Sequence, residues 1–218
     1  MIKAVLFDLD NTLIDFMKMK KMCIEAASSA MADSGLKMSR EEIEKELYKV
    51  YDKYGIEYER VFQKFLKTKG TIDYRILASA IIAYRKVKAS FLEPYPGVEK
   101  TLLKLREKGL KLGIVTDAPK LNAWMRLVSM GITDFFDVVI CSGKNKKPNS
   151  LPFRKALKSL KVEAEEALMV GDWPERDVLG AKKIGMKTCF AKYGYTKGNV
   201  KSGADHEIEK VEDLLRIV

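Results

Sequence analysis

The chain has 218 residues, 47% of them hydrophobic and 32% charged, which describes an ordinary globular protein of one large domain or one domain with an insertion and excludes a disordered chain. No apolar run approaches the ~20 residues needed to cross a membrane, and Ala4-Val5-Leu6-Phe7 is short and ends in Asp8, an acid that no secretory leader carries in its apolar region, so the expectation is a cytoplasmic protein with no membrane partner. The net charge of +10 is spread along the chain, and its densest cluster, Lys144-Asn145-Lys146-Lys147, is short and has no interleaved aromatics, so a nucleic acid is not the expected partner and an anionic metabolite is.

Residues 2–7 form a continuous apolar run bounded by the polar Asp8-Leu9-Asp10-Asn11-Thr12, the pattern of a central strand covered on both faces. Residues 15–92 then read as almost entirely helical, with breaks at Ser34-Gly35, Tyr54-Gly55 and Lys69-Gly70-Thr71. Ser39-Arg40-Glu41-Glu42 predicts a capping box, with Ser39 as N-cap and Glu42 at the third helical position. Apolar stripes such as Ile43, Leu47, Val50 and Tyr51 point to a small helical bundle. Glu93-Pro94-Tyr95-Pro96-Gly97 halts any helix. After it come a helix over 98–108, a strand over 110–115, and a helix ending at Met130-Gly131. A strand over 138–141, a helix over 151–160 and a strand over 167–170 follow. The series closes with a helix ending at Ile184-Gly185, a strand over 187–191 and a terminal helix over 211–217. Strands alternating with helices make an α/β fold, a parallel sheet with helices on both faces. The expected division is a core of residues 1–14 and 93–218, split after its first strand by a helical insertion over 15–92. There are no internal repeats.

In open parallel sheets the ligand site lies beyond the carboxyl ends of the strands. Those ends carry Asp8 and Asp10, then Thr116 and Asp117, then Lys147 opening the helix after the third strand, then Asp172 with Asp177 a turn later. Carboxylates crowded together repel one another. A divalent cation relieves that, and acidic oxygens with some water suit Mg²⁺, with Asp8, Asp10 and Asp172 as expected ligands. A carboxylate in the place of Asp8 can attack phosphorus and form an aspartyl phosphate. Asp10, two residues on, can protonate the leaving oxygen and later deprotonate water. The Thr116 hydroxyl and the Lys147 ammonium can hold phosphoryl oxygens. Asp177 either tunes the metal shell or Lys147 from behind, or caps a helix. Trp173 is expected to wall the cleft.

Each of these residues also has a plainer reading. Asp is common in turns after strands, and Thr116 or Asp172 could be helix caps. Cys23, Cys141 and Cys189 lack metal-ligand spacing and read as reduced, buried residues. His206 is the single histidine, which leaves almost no material for a His-based triad or a His-ligated zinc site.

Four of these segments carry a resemblance. Phe7-Asp8-Leu9-Asp10-Asn11-Thr12-Leu13, Ile114-Val115-Thr116-Asp117, Lys147-Pro148, and Gly171-Asp172-Trp173-Pro174-Glu175-Arg176-Asp177 with Gly180-Ala181-Lys182 resemble, in order, the four motifs of the haloacid dehalogenase-like (HAD) hydrolases. The resemblance spans nearly the whole chain. It implies a Rossmann-like core, a helical cap formed by the insertion, Mg²⁺ as cofactor, and a small phosphorylated metabolite as substrate. It implies Asp8 and Asp10 as catalytic with Thr116 and Lys147, substrate contacts from Thr116, Asp117 and Lys147, and Asp177 behind the metal. Pro94-Tyr95-Pro96-Gly97, Leu112-Gly113-Ile114-Val115-Thr116-Asp117 and Met130-Gly131-Ile132-Thr133-Asp134-Phe135-Phe136-Asp137 are similar to an archaeal subgroup described as glyceraldehyde 3-phosphate phosphatases. The third motif departs from the Lys-Pro-x-Pro usual there, reading Lys147-Pro148-Asn149-Ser150. This leaves Lys146 beside Lys147 as the motif lysine; Lys147 is favoured because it directly precedes the proline. A 2-haloacid dehalogenase or a phosphomutase on the same scaffold is the alternative enzyme. A dehalogenase has no use for Asp10 or Asp172, and nothing in the insertion points to the protection from water that a phosphomutase requires. A non-catalytic binding module is a further alternative, although no motif acid is missing. Oligomeric state is not legible.

Overall fold

The structure, a computed structural model, describes all of residues 1–218. The chain divides into two compact units, Phe16–Leu92 and a second made of Met1–Asp15 with Glu93–Val218.

The second unit opens with strand β1 (Ala4–Phe7), after which the chain enters the helical unit. That unit holds α1 (Phe16–Asp33), α2 (Arg40–Tyr54), α3 (Val61–Lys67) and α4 (Tyr74–Ser90). The expected capping box is present: the Ser39 Oγ accepts from the Glu42 N–H at 3.2 Å, and the Glu42 carboxylate accepts from the Ser39 N–H at 2.8 Å. Asp73 caps α4 by accepting from the N–H groups of Arg75 and Ile76. The stripe Ile43, Leu47 and Tyr51 of α2 is buried with Ile24 and Met31 of α1, Phe62 and Phe65 of α3, and Ile76 and Leu77 of α4. One apolar face per helix, all converging, is what makes four short helices stable together.

The rest of the core unit consists of α5 (Val98–Glu107), β2 (Lys111–Thr116), α6 (Lys120–Ser129), β3 (Val138–Cys141), α7 (Ser150–Leu160), β4 (Ala167–Gly171), α8 (Leu179–Lys182), β5 (Lys187–Ala191) and β6 (His206–Ile208). All six strands are parallel, in the order β3-β2-β1-β4-β5-β6. β1 is central and fully buried, as its apolar run requires. It pairs with β2 through Phe7 opposite Ile114 and with β4 through Phe7 opposite Val170. Ala4 and Leu6 face a cluster formed with Phe153, Ala156 and Leu160 of α7 and Ala181 of α8. Right-handed crossovers put α5 and α6 on one face and α7 and α8 on the other, because the chain winds outward through β2 and β3 and then back through β4 and β5. The direction of winding therefore reverses between β1 and β4.

Four expectations need correction. A sixth strand, β6, was not foreseen: only Ile208 of its three residues is buried, so no apolar run marks it. The segment after Asp172 begins as a wide π-type turn, Pro174–Val178, before α8, and the C-terminal segment Val211–Arg216 is a 3₁₀ helix, not an α-helix. Lys147 lies in the loop ahead of α7, whose N-cap is Asn149, and does not open the helix itself.

Candidate active site

The reversal between β1 and β4 opens a crevice at the carboxyl ends of those strands, and the first residue past each is an aspartate. Asp8 continues the ladder, its N–H donating to the Val170 carbonyl at 2.8 Å. Asp172 follows Gly171, the last residue of β4. The turn after Asp8 is tight: Asn11 adopts a left-handed φ of 58°, its N–H bonds the Ile14 carbonyl at 2.7 Å, and the Tyr193 hydroxyl donates to the Thr12 carbonyl at 2.7 Å. Thr12, fully buried, donates its hydroxyl proton to Asp172 at 3.4 Å.

Lys147 arrives from the loop before α7 with a side chain only 2% exposed. Its ammonium donates to Asp8 Oδ1 at 2.7 Å, Asp177 Oδ1 at 2.6 Å and the Val115 carbonyl at 3.0 Å. Burial alone would lower its pKa, but Asp177, Asp8 and Asp117 outweigh that and hold it above the ordinary lysine value. Lys147 is therefore charged, whereas Lys146 is exposed. Asp177 is 1% exposed. Its second oxygen accepts from the Trp173 N–H at 3.0 Å, so the wide turn after Pro174 folds back on its own start. Gly171 makes this possible, because a Cβ there would occupy the Asp177 carboxylate. Replacing Gly171 by Ala is expected to cost about 1–3 kcal/mol as an overpacked site, lowering the thermal midpoint by roughly 2–12 °C in a chain of this size; a melting curve of the variant is the check.

Oxygens of Asp8, Asp172 and Asp177 lie within 4.8 Å of one another, and all three residues are buried. Burial first, then repulsion by Asp8 and Asp177, pushes the Asp172 carboxyl far above the usual carboxylate range, against the pull of Lys147. Burial also raises Asp177, opposed by Lys147. With all three acids ionised, as metal ligation requires, one ammonium would leave two negative charges without a counterion. That imbalance, with an all-oxygen donor set, fits a divalent cation of the Mg²⁺ type.

Of the three expected ligands, Asp8 and Asp172 place their carboxylates in this cluster. Asp10 does not join this group; its Oδ2 accepts from Nη1 of Arg126 at 2.9 Å, and Asp177 is the third clustered acid. Thr116 is buried, and its Oγ1 accepts from the Ala118 N–H at 3.1 Å, the local capping role that any threonine at a strand end could take. Asp117 faces protein groups with both oxygens: one accepts from the Lys147 N–H at 3.0 Å and the other from Arg176 at 3.4 Å. Trp173 is half-buried between two cations, the Arg176 guanidinium at 3.9 Å and the Lys197 ammonium at 3.6 Å from its ring centre. Sequence reasoning missed Arg126. The signal was there: Arg126 sits between Ala123 and Leu127 on the buried stripe of α6, where an arginine implies a buried acid partner.

The profile of the haloacid dehalogenase-like hydrolase family matches residues 5–191. A glyceraldehyde 3-phosphate phosphatase of Pyrococcus abyssi is 39% identical, with 100% of this chain and 94% of that protein aligned. One of Methanopyrus kandleri is 37% identical over 100% of this chain and 97% of the relative. The crystal structure of a HAD phosphatase from Thermococcus onnurineus superposes with a TM-score of 0.74 at 28% identity, covering 99% of this chain and 97% of that one. With the four motifs brought to one crevice and a family match over most of its length, the chain belongs to the haloacid dehalogenase-like hydrolases.

Proposed function

We propose that this chain is a Mg²⁺-dependent phosphatase of a small phosphorylated metabolite, with glyceraldehyde 3-phosphate or another short sugar phosphate as the first candidate. The observation that carries the reading is the buried cluster of Asp8, Asp172 and Asp177 with the Lys147 ammonium paired to two of them, three acids to one cation. The names of the relatives supply the substrate class.

Lys147 fixes Asp8 through Oδ1, which leaves the second oxygen of a rigidly held carboxylate to attack phosphorus and form an aspartyl phosphate. Asp10 stands two residues along the same turn and serves as the acid for the leaving oxygen, then as the base for the water that hydrolyses the intermediate. The Thr116 hydroxyl accepts from Ala118, yet its own proton remains available to a phosphoryl oxygen. All three Lys147 donors are spent on protein oxygens, so the lysine meets a phosphoryl oxygen by sharing one of these donors while the remaining contacts keep it beside Asp8. Its charge beside Asp8 thus serves both the nucleophile and the phosphoryl oxygens. Asp117 holds the backbone of the Lys147 loop and acts on the substrate through that lysine. When bound at Asp8 and Asp172, with Asp177 beside them, Mg²⁺ would supply charge neutralisation for the acids and the phosphoryl group. The helical unit would serve as a cap that limits access to small substrates and excludes water.

The test is phosphate release over a panel of phosphorylated metabolites and a folded phosphoprotein. Hydrolysis is expected with Mg²⁺, to fall to background after chelation, and to return when Mg²⁺ is restored. The thermal midpoint should rise with Mg²⁺, since a ligand held only by the folded state stabilises it, by about 2.7 kcal/mol at 100 times Kd. Full turnover in excess chelator after metal removal would overturn the metal assignment. Equal kcat/KM on the phosphoprotein would overturn the cap's role.

A further inference from the structure

We infer that Arg126 is a positioning residue for Asp10, setting the direction from which the catalytic acid meets the leaving group. Arg126 is 2% exposed, the largest fully buried side chain of the protein, on a helix whose other buried residues are Ala123 and Leu127. Its Nη1 lies 2.9 Å from Asp10 Oδ2, bridging two residues 116 positions apart in sequence. A buried ion pair is poor evidence of a stability device, because apolar residues of the same volume usually serve stability as well. A rigid, planar guanidinium is, however, well suited to fixing the orientation of a carboxylate. Asp10 needs that fixing. It sits on a tight turn beyond the end of β1, its side chain keeps 23% exposure, and it stands outside the Asp8, Asp172 and Asp177 group that Lys147 organises. Proton transfer to a leaving oxygen requires hydrogen-bond reach, and an error of about 1 Å in such a contact can cost roughly 100-fold in rate. The arginine thus supplies to the acid what Lys147 supplies to the nucleophile.

The inference rests on the phosphatase reading, and the experiment separates the two. In the full chain with Mg²⁺, kcat/KM is measured for an alkyl phosphate, whose leaving alkoxide needs a proton, and for p-nitrophenyl phosphate, whose leaving group departs without one. This parameter reports steps up to leaving-group departure and is blind to hydrolysis of the intermediate. Arg126→Met is expected to lose on the order of 100-fold on the alkyl substrate and less than about 5-fold on the aryl one. Arg126→Lys should recover part of the alkyl activity, because its ammonium keeps the charge but not the fork. In an Asp10→Asn background, Arg126→Met should add no more than about 2-fold, since residues acting through one another are not additive. If Arg126→Met does not fold, Arg126→Lys carries the test alone, with the same selective loss in smaller measure. Equal losses on both substrates, or an undiminished effect in the Asp10→Asn background, would overturn the assignment while leaving the phosphatase reading intact. A wild-type chain that hydrolyses neither phosphate would overturn both.

Discussion

Asp8→Asn is expected to reduce phosphate release by on the order of 10⁴-fold or more, in line with the loss of other enzymatic nucleophiles. The amide has nearly the shape of the carboxylate, so the ladder bond from the residue 8 N–H to Val170 is retained. What changes is chemistry: the amide oxygen neither attacks phosphorus effectively nor neutralises a divalent cation. The fold should persist. The variant loses one ion pair to Lys147, but the Asp177 pair remains, and the repulsion that Asp8 exerts on Asp172 is removed. The check is steady-state turnover beside a far-UV spectrum and a melting curve. A folded variant that keeps more than about a tenth of wild-type activity, far above the loss expected of a nucleophile, would remove Asp8 from that role.

Much of this site was legible in the sequence because its geometry is that of a sheet. A strand that ends in an acid aims that acid at the same edge as every other parallel strand, so Asp8 and Asp172 could be placed together without knowing any contact. The helix boundaries at Gly35, Gly55 and Gly70 and the box at Ser39 were local signals for local structure. The misses were of another kind. The partners of Asp10 and Asp177 were hidden or open: an arginine 116 residues away pairs with Asp10, which no spacing suggested, and Asp177 pairs with Lys147, 30 residues away, one of the roles left open for it. No spacing within a motif encodes such pairings. The π-type turn at Pro174 was hidden for a related reason. It exists to bring Asp177 back to the Trp173 N–H and to Lys147, a tertiary demand that overrides helical periodicity. β6 escaped because two of its three residues are exposed.

Lys147→Met is the second large effect, and it should strike stability as well as activity. The side chain is 2% exposed and donates to two buried carboxylates. Removing one partner of a buried charge pair typically costs about 3–5 kcal/mol, because the acids left behind have neither water nor counterion. In a chain of this length the thermal midpoint should fall by roughly 6–20 °C. Turnover should drop by at least about 100-fold, the scale on which loss of one oriented donor is felt. Adding Asp177→Asn to Lys147→Met should recover part of the stability and none of the activity, because one of the stranded charges is then neutral. The comparison of the two melting curves measures that coupling. If Lys147→Met melted with the wild-type chain, the buried cluster would not be held by this lysine.

The position of β1 in the sheet also bears on how the protein is made. Ala4–Phe7 is the middle strand, yet its partners are Lys111–Thr116 and Ala167–Gly171. During synthesis this apolar segment precedes both neighbours, and at roughly 5–20 residues per second its first partner follows only after about 5–20 s. The intervening Phe16–Leu92 carries its own buried cluster and can collapse on local contacts well before that, since short loops close at little entropic cost. Asp8 therefore gains its surroundings last, when two distant stretches of chain close over a strand that has waited for them. A ribosome-bound chain ending before β4 should hold a folded helical segment and a β1 whose β4 edge is still unpaired, and that open edge is the part of the nascent protein most in need of a chaperone.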